Sequence, residues 1–289
     1  MGTLFVVATP IGNLEDVTPR ALRVLTEVSL IAAEDTRRTG NLLRHFGITT
    51  PTVSYHGHNE RQRRNRLLDA LGAGDVALVT DAGTPGISDP GNDIVAAAHA
   101  SGYPVSPVPG PSSLTAAVSV SGLVPGPFVA LGFLPRQASR RRLIIARAAS
   151  ADMPFVLFEA PGRVASTLGE LRDALGARPG VVLRELTKVY EEVRPGLLAD
   201  LADWAAANEP RGEVIIVVGA SAQDNGPNAD DDIVALVASL RRSGLSASAA
   251  AREAASMSGL PRSQVYEVAR SWRPDSGEIP NLNAERDER

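Results

Sequence analysis

The sequence predicts an α/β fold built on a largely parallel sheet. Three observations carry this. Short apolar runs rich in Val, Ile and Leu recur along the chain. Segments with apolar residues at helical spacing follow them. Gly- and Pro-rich loops stand directly after several of the runs.

The elements follow in order. Leu4 to Ala8 is a buried strand that stops at Thr9-Pro-Ile-Gly-Asn13. Thr18 suits a helix N-cap and Pro19 the first helical position, with Leu22, Leu25 and Val28 at helical spacing behind them. Leu30 to Ala33 is a second strand, ending at Glu34-Asp-Thr-Arg-Arg38. Val76 to Thr80 is another, followed by the long loop Asp81 to Gly91 and a helix over Ile94 to Ala100. Val105 to Val108, the loop Pro109-Gly-Pro-Ser-Ser113 and a helix over Leu114 to Ser121 repeat the unit. The chain breaks at Leu123-Val-Pro-Gly-Pro127, so the expected organisation is one α/β domain over 1–123 and a second over 124–222. Phe128 to Phe133 opens the second set. Phe155 to Phe158, Val181 to Arg184 and Val214 to Val218 are its strand-like runs, and Arg163 to Leu175 and Leu198 to Ala207 its helices. Ala220 to Asp232 reads as a linker. Three short helical patterns then give a small helical module over 233–272, whose last helix resembles the second helix of a helix-turn-helix. Residues 273–289 are expected to be disordered.

Composition narrows the function classes. The chain has 289 residues, no cysteine and a formal net charge of -4. Zero cysteine excludes disulfides and thiolate-bound zinc or iron–sulfur sites. No apolar run reaches the ~20 residues that span a bilayer. The start lacks the basic region of a secretory signal, and Val6 occupies the place where myristoylation needs Ser or Thr, so a cytoplasmic protein is expected. The mild acidity argues against a general nucleic-acid coat. Locally, Arg61, Arg63, Arg64 and Arg66 cluster, as do Arg140, Arg141, Arg142 and Arg147. Two readings stand, RNA-contacting patches and solvated helix faces.

The chain has no G-x-G-x-x-G after its first strand, no Walker-type loop and no H-E-x-x-H. Dinucleotide enzymes, P-loop enzymes and zincins are disfavoured. Asp81-Ala-Gly-Thr-Pro85 directly follows a buried strand, where α/β sheets bind ligands, and Gly83 permits close backbone approach. Asp81 either faces a ligand or caps a tight turn. Ser112 and Ser113 open a helix, so one of them serves as N-cap, with or without a ligand beside it.

Thr9-Pro-Ile-Gly-Asn13, Asp81-Ala-Gly-Thr-Pro85, Pro109-Gly-Pro-Ser-Ser113 and Gly212-Glu-Val-Ile-Ile-Val217 stand in an order that resembles the tetrapyrrole methylase family. Glu34-Asp-Thr-Arg-Arg38, Ser54-Tyr-His-Gly-His-Asn-Glu60 and Phe158-Glu-Ala-Pro-Gly-Arg163 resemble its ribosomal-RNA branch. The resemblance covers roughly residues 3 to 220. It implies two α/β domains with S-adenosyl-L-methionine in the cleft between them, ribose 2′-O-methylation of a cytidine in 16S ribosomal RNA, the small ribosomal subunit as partner, and a homodimer. By position it implies cofactor contacts from Pro10, Asp81, Ala82, Gly83, Thr84, Ser112 and Ser113, with Glu159 and Leu186 from the second domain. Ring-methylating relatives carry a loop more like Gly-Asp-Pro where this chain has Asp-Ala-Gly-Thr-Pro. A precorrin-type C-methyltransferase and a nucleic-acid-binding regulator using 233–272 are the rival readings.

Methyl transfer to a ribose hydroxyl needs alignment, and its proton removed or the developing oxyanion stabilised. Lys188 is the only lysine; every other one of the 29 Lys+Arg residues is arginine. A retained ammonium suits a tunable or compact cation at the reacting hydroxyl, with Glu185 nearby, although a surface ion pair is the plain alternative. Asp35 and Glu60 are candidate general bases. Arg37 suits a phosphate fork, while His56, His58 and Asn59 suit a splayed base, with Arg61 and Arg64 on the RNA backbone. A polar loop that satisfies its own backbone is the alternative for the histidine pair. His56, His58 and Glu60 could also hold a metal, though the transfer requires none.

Overall fold

The computed structural model describes residues 1–221, 229–258 and 260–272. The chain divides into two compact units, Met1–Ala222 and Gln223–Arg289.

The first unit holds two sheets. Strands β1 (Leu4–Val7), β2 (Leu30–Ala33), β3 (Thr52–Ser54), β4 (Val76–Val79) and β5 (Val105–Val108) form the first, in the order β3-β2-β4-β1-β5, every pair parallel. Continuous apolar runs are what a sheet covered on both faces requires. Alternate residues of β4 show it. Ala77 and Val79 pack with Ala21, Val24 and Leu25 of α1 (Pro19–Glu27) and Leu43 of α2 (Thr36–His45). Val76 and Leu78 face Leu67 and Leu71 of α3 (Glu60–Ala73) and Ile94 and Ala98 of α4 (Asn92–Ala100). Each such buried Leu or Ile contributes roughly 1.5–3 kcal/mol of transfer free energy. Thr18 caps α1 as its position predicts, accepting from the Ala21 N–H at 3.1 Å. After β4 the chain crosses β1 to reach β5, so the loops after β1, β4 and β5 share one rim, where open α/β sheets bind ligands.

Strands β6 (Val129–Phe133), β7 (Phe155–Glu159), β8 (Pro179–Arg184), β9 (Glu192–Leu197) and β10 (Val214–Val218) form the second sheet, in the order β6-β7-β10-β8-β9. Here only β6 and β7 run parallel, and the other three pairs are antiparallel. The β8–β9 connection is too short for a crossover helix, and antiparallel pairing is what a short connection allows. The sequence reading missed β9 altogether. Its Glu-Val-Arg-Pro-Gly-Leu lacks an apolar run, and Pro195 is tolerated because β9 lies at the sheet edge.

Helices α6 (Ala138–Ala151), α7 (Val164–Leu175) and α8 (Leu198–Asn208) bury Ile145, Leu168, Leu171 and Leu201 against one face of this sheet. The other face, with Val156, Val181, Ile215 and Val217, packs on Ala117 of α5 (Ser113–Ser121). Thus α5, which precedes the sequence break, covers the second sheet and ties the two halves into one unit.

In the second unit α9 (Ala229–Arg242), α10 (Ala247–Ser258) and α11 (Arg262–Ser271) enclose Val237, Ala251, Ala254, Val265 and Ala269. The helix α9 begins inside the expected linker. The rest of that linker, 222–228, and the tail 273–289 lie outside the described residues.

Candidate functional site

A cleft of about 310 Å³ opens between the two sheets of the first unit. One wall is the loop after β4, with Ala82, Gly83, Thr84, Ile87 and Asp89, together with Ser112 and Ser113 at the start of α5. The facing wall brings Phe158, Glu159 and Ala160 from the end of β7, Leu183 and Leu186 from β8 and its turn, and Gly212 to Ile215 leading into β10.

Local backbone chemistry shapes these walls. Gly83 has φ +80°, a conformation L side chains rarely adopt, and a Cβ there would stand 3.4 Å from Ile11 Cγ2. Thr9 and Gly83 exchange two backbone hydrogen bonds, at 2.9 and 3.0 Å, which pin the loop after β1 to the loop after β4. Thr84 Oγ1 donates to the Pro111 carbonyl at 3.4 Å and joins the β4 and β5 loops. Ser112 stands at the N-cap of α5 but makes no side-chain cap bond, so its hydroxyl is uncommitted. Gly12 touches the opposite half: a Cβ there would meet Lys188 Cγ at 2.5 Å and Thr187 Oγ1 at 2.8 Å.

Charge in the cleft is mostly negative. Burial, reinforced by the Glu34 and Asp81 charges, pushes the Asp89 carboxyl up to about 6. Glu213 lines the same cleft. Glu159 is buried and fully engaged, accepting from Thr167 Oγ1 at 2.6 Å and the Ala160 N–H at 2.8 Å, with Arg163 at 3.3 Å. Lys188 Nζ donates to Glu185 Oε1 at 2.9 Å and Glu213 Oε2 at 3.2 Å. Burial alone would lower the Lys188 pKa, but these two carboxylates outweigh it and hold the ammonium charged. The same ammonium, with the Glu213 N–H, draws the Glu185 carboxyl down. Glu185 (φ 52°) and Thr187 (φ 67°) sit in the left-handed region, strain of the kind that concentrates at functional turns.

A second cavity of about 290 Å³ lies on the other side of the Thr9–Gly83 pairing. Pro10 and Asp81 line this one, whereas their chain neighbours Ile11 and Ala82 line the cleft.

A sequence model of the tetrapyrrole (corrin/porphyrin) methylases matches residues 3–202. The chain belongs to the tetrapyrrole methylase family. Among curated relatives of this methylase, "Ribosomal RNA small subunit methyltransferase I" of Synechocystis sp. is 44% identical over 278 residues, 95% of this chain and 100% of the relative. The Pseudomonas aeruginosa protein of the same name is 44% identical over 272 residues, 93% and 96% of the two chains. Among solved structures, the uroporphyrin-III C-methyltransferase of Thermus thermophilus, complexed with S-adenyl homocysteine, aligns with a TM-score of 0.54 and 22% identity. That alignment covers 76% of this chain and 97% of the other, and shows a shared fold.

The remaining candidates of this tetrapyrrole methylase fall into separate groups. Asp35 is the N-cap of α2, accepting from the Arg37 N–H at 2.8 Å and from its guanidinium at 2.7 and 3.2 Å. These bonds hold its carboxyl well below the usual carboxylate range. Arg37 itself is 89% exposed. Asn59 folds the His56 loop onto itself, accepting from the His56 N–H at 2.9 Å and donating to the Ser54 carbonyl at 3.3 Å. His56 and His58 stand edge to face, with centroids 6.0 Å apart. Glu60 accepts from the Gly91 N–H at 3.0 Å, tying this loop to the end of the β4 loop. Arg64 forks onto Asp93, whereas Arg61 is exposed. In the other arginine cluster, Arg141 is likewise engaged, forked on Glu170 of α7. Among the described residues no cluster of His, Asp and Glu is arranged to hold a metal ion.

Asp89 and Glu213 were missed by the sequence reading. Both lie within motifs that it singled out, and a carboxylate inside a Gly/Pro ligand loop was the available signal. Only the packing of the two halves reveals that they share a cleft.

Proposed function

We propose that this methylase transfers the methyl group of S-adenosyl-L-methionine to the ribose 2′-hydroxyl of a cytidine in 16S ribosomal RNA of the small subunit. Relatives at 44% identity over nearly the whole chain support the ribosomal substrate. The observation that carries the site is the cleft itself: Gly83 clears one wall, uncommitted Ser112 offers a hydroxyl, and apolar Ile11, Ile87, Leu114 and Phe158 supply a slot for a nucleoside ring. Its volume lies at the lower end of the range for small-molecule sites, roughly 300–1,000 Å³. The acidic lining of Asp89 and Glu213 suits a sulfonium ligand, because opposite charge is stabilising in a partly desolvated site.

When bound, the cofactor supplies both the methyl group and the leaving group. The chain's own residues align and desolvate. In this reading Ala82 to Thr84 and Ser112–Ser113 hold the nucleoside from the first domain, 1–123, and Glu159 and Leu186 close on it from the second, 124–222. Pro10 and Asp81 form the edge between this cleft and the second cavity. Lys188 stays protonated, so it serves as a fixed cation near the reacting oxygen, oriented by Glu185 and Glu213. Asp35 holds Arg37 outward for a phosphate, and Glu60 holds the His56–His58–Asn59 loop for the RNA, beside Arg61. Arg64 orients α3 through Asp93. We infer a cytoplasmic homodimer, for which the exposed Val189, Tyr190 and Val193 at and before edge strand β9 provide apolar surface. No described helix is long and apolar enough to cross a membrane.

Labelled methyl transfer, offered small ribosomal subunits in one tube and a tetrapyrrole precursor in another, tests the reading. Label should appear in ribose of the RNA only; label in the tetrapyrrole alone overturns it.

A further inference from the structure

We infer that the end of β6 and the exposed face of α6 form a strip that holds single-stranded RNA beside the cleft: Phe133 stacks on a base flanking the reacting nucleotide, and Arg136, Arg140 and Arg147 hold phosphates. This rests on the proposed methyl transfer to RNA and adds where the strand runs across the second α/β half.

An irregularity of the backbone aims Phe133 outward. Val129 and Leu131 pack toward the helices α6 to α8, and strict alternation would send Phe133 the same way. Instead the register of β6 against β7 shifts between Ala130 and Gly132, where Gly132 at φ +63° permits the extra residue. Phe133 therefore pairs with Phe158 on the opposite face of the sheet, their ring centroids 5.4 Å apart. Bulges in parallel pairs are uncommon, and beside functional sites a bulge re-aims a side chain. The ring so placed is 59% exposed and lines the mouth of the cleft with Ile87 of the first half, itself 47% exposed. The halves approach closely here: a Cβ on Gly132 would stand 3.0 Å from Ser88 Oγ. An exposed ring adds little to the core, whereas its π face is what a splayed base stacks upon.

The arginines continue from that ring. Arg136 follows Phe133 in the turn that leads into α6. Within α6, Arg140, Leu143 and Arg147 share one helix face by their spacing of three and four, and all are exposed. The helix carries four arginines and no Asp or Glu. Arg141 is neutralised by Glu170, and Arg142 lies near enough to that carboxylate to help lower its pKa. Among the described residues Arg136, Arg140 and Arg147 meet no carboxylate. Unbalanced positive charge on a chain of net charge -4 points to a partner of opposite sign. Arg140 and Arg147 lie about 10 Å apart along the helix axis. That is too far to fork one anion, so the spacing suits successive phosphates of a strand. An acidic protein segment would satisfy the charge but would bring no flat base to Phe133.

The test titrates the full chain into a fluorescein-labelled single-stranded oligocytidylate of about ten nucleotides, read by anisotropy. Phe133→Leu keeps an apolar side chain but removes the π face, and should weaken binding roughly tenfold; Phe133→Trp should hold or tighten it. Replacing Arg136, Arg140 and Arg147 together by Gln should lower the slope of log affinity against log salt by about 2, since each phosphate contact on a single strand contributes about 0.7. Calorimetric affinity for S-adenosylhomocysteine should stay at the wild-type value in all three proteins. Wild-type RNA affinity in Phe133→Leu, or an unchanged salt slope in the arginine variant, overturns the inference. So does a loss in Phe133→Leu that Phe133→Trp shares, or one confined to S-adenosylhomocysteine, which would make Phe133 a wall of the cofactor site only. If the wild-type chain methylates no ribosomal RNA, the broader reading falls, and the oligocytidylate titration still decides whether the strip takes RNA.

Discussion

Replacing Asp89 by Asn should make the protein more stable above neutral pH. Folding moves this carboxyl out of water and beside Glu34 and Asp81, which raises its pKa from 3.8 to about 6. An acid with a raised native pKa binds more protons folded than unfolded between those two values. Stability therefore falls as pH rises from about 4 to 6, and the full cost persists above. Two pKa units correspond to roughly 3 kcal/mol. The carboxyl is only half-buried, so solvent screening reduces this to about 1–2 kcal/mol. Urea unfolding of both proteins at pH 8 and pH 4, with matched m-values, measures the difference. Asp89→Asn should gain about 1–2 kcal/mol at pH 8 and close to nothing at pH 4. The same charge should favour a sulfonium ligand over its neutral product. Calorimetry should find the variant's affinity for S-adenosylmethionine lowered relative to S-adenosylhomocysteine by roughly 3–10-fold, the equivalent of about 1 kcal/mol. A stability gain that is equal at both pH values, or an unchanged affinity ratio, would refute the electrostatic reasoning.

Gly12→Ala places a methyl group against Lys188 Cγ and Thr187 Oγ1, so it should cost about 1–3 kcal/mol in urea unfolding and weaken cofactor binding by loosening the two cleft walls. Lys188→Arg keeps the charge but not the compact ammonium between Glu185 and Glu213; kcat on small subunits should fall while cofactor affinity holds, and unchanged turnover would remove Lys188 from the chemistry. Arg61→Ala should reduce the slope of RNA affinity against salt by about 1, as one lost phosphate contact does. By contrast Arg64→Ala breaks a fork to Asp93, and its effect should appear as lower thermal stability as well as weaker RNA binding.

The sequence alone determined the α/β class, because strands buried on both faces must be continuous apolar runs. It determined the cap at Thr18 and the Gly-, Pro- and Ser-rich loops at Ala82–Thr84 and Ser112–Ser113, since these follow from local backbone chemistry. The identity of these loops was legible because Gly, Pro and Ser are used there for specific φ angles and exposed donors. Strand direction in the second sheet was not legible: an apolar run reads the same forwards and backwards, and Val214 to Val218 carries no mark of its antiparallel neighbours. Edge strand β9 was hidden for a related reason, since an element with one open side needs no apolar pattern. Tertiary structure decided what shares space. It drew Asp89 and Glu213 into one cleft, locked Asp35 onto Arg37, and set Lys188 between two carboxylates that stand 28 residues apart in the chain. It also put Pro10 and Asp81 on one side of a two-segment partition and Ile11 and Ala82 on the other. Burial and charge proximity are properties of the packed chain, so pKa shifts and cavities come into being only when the two sheets pack into one unit.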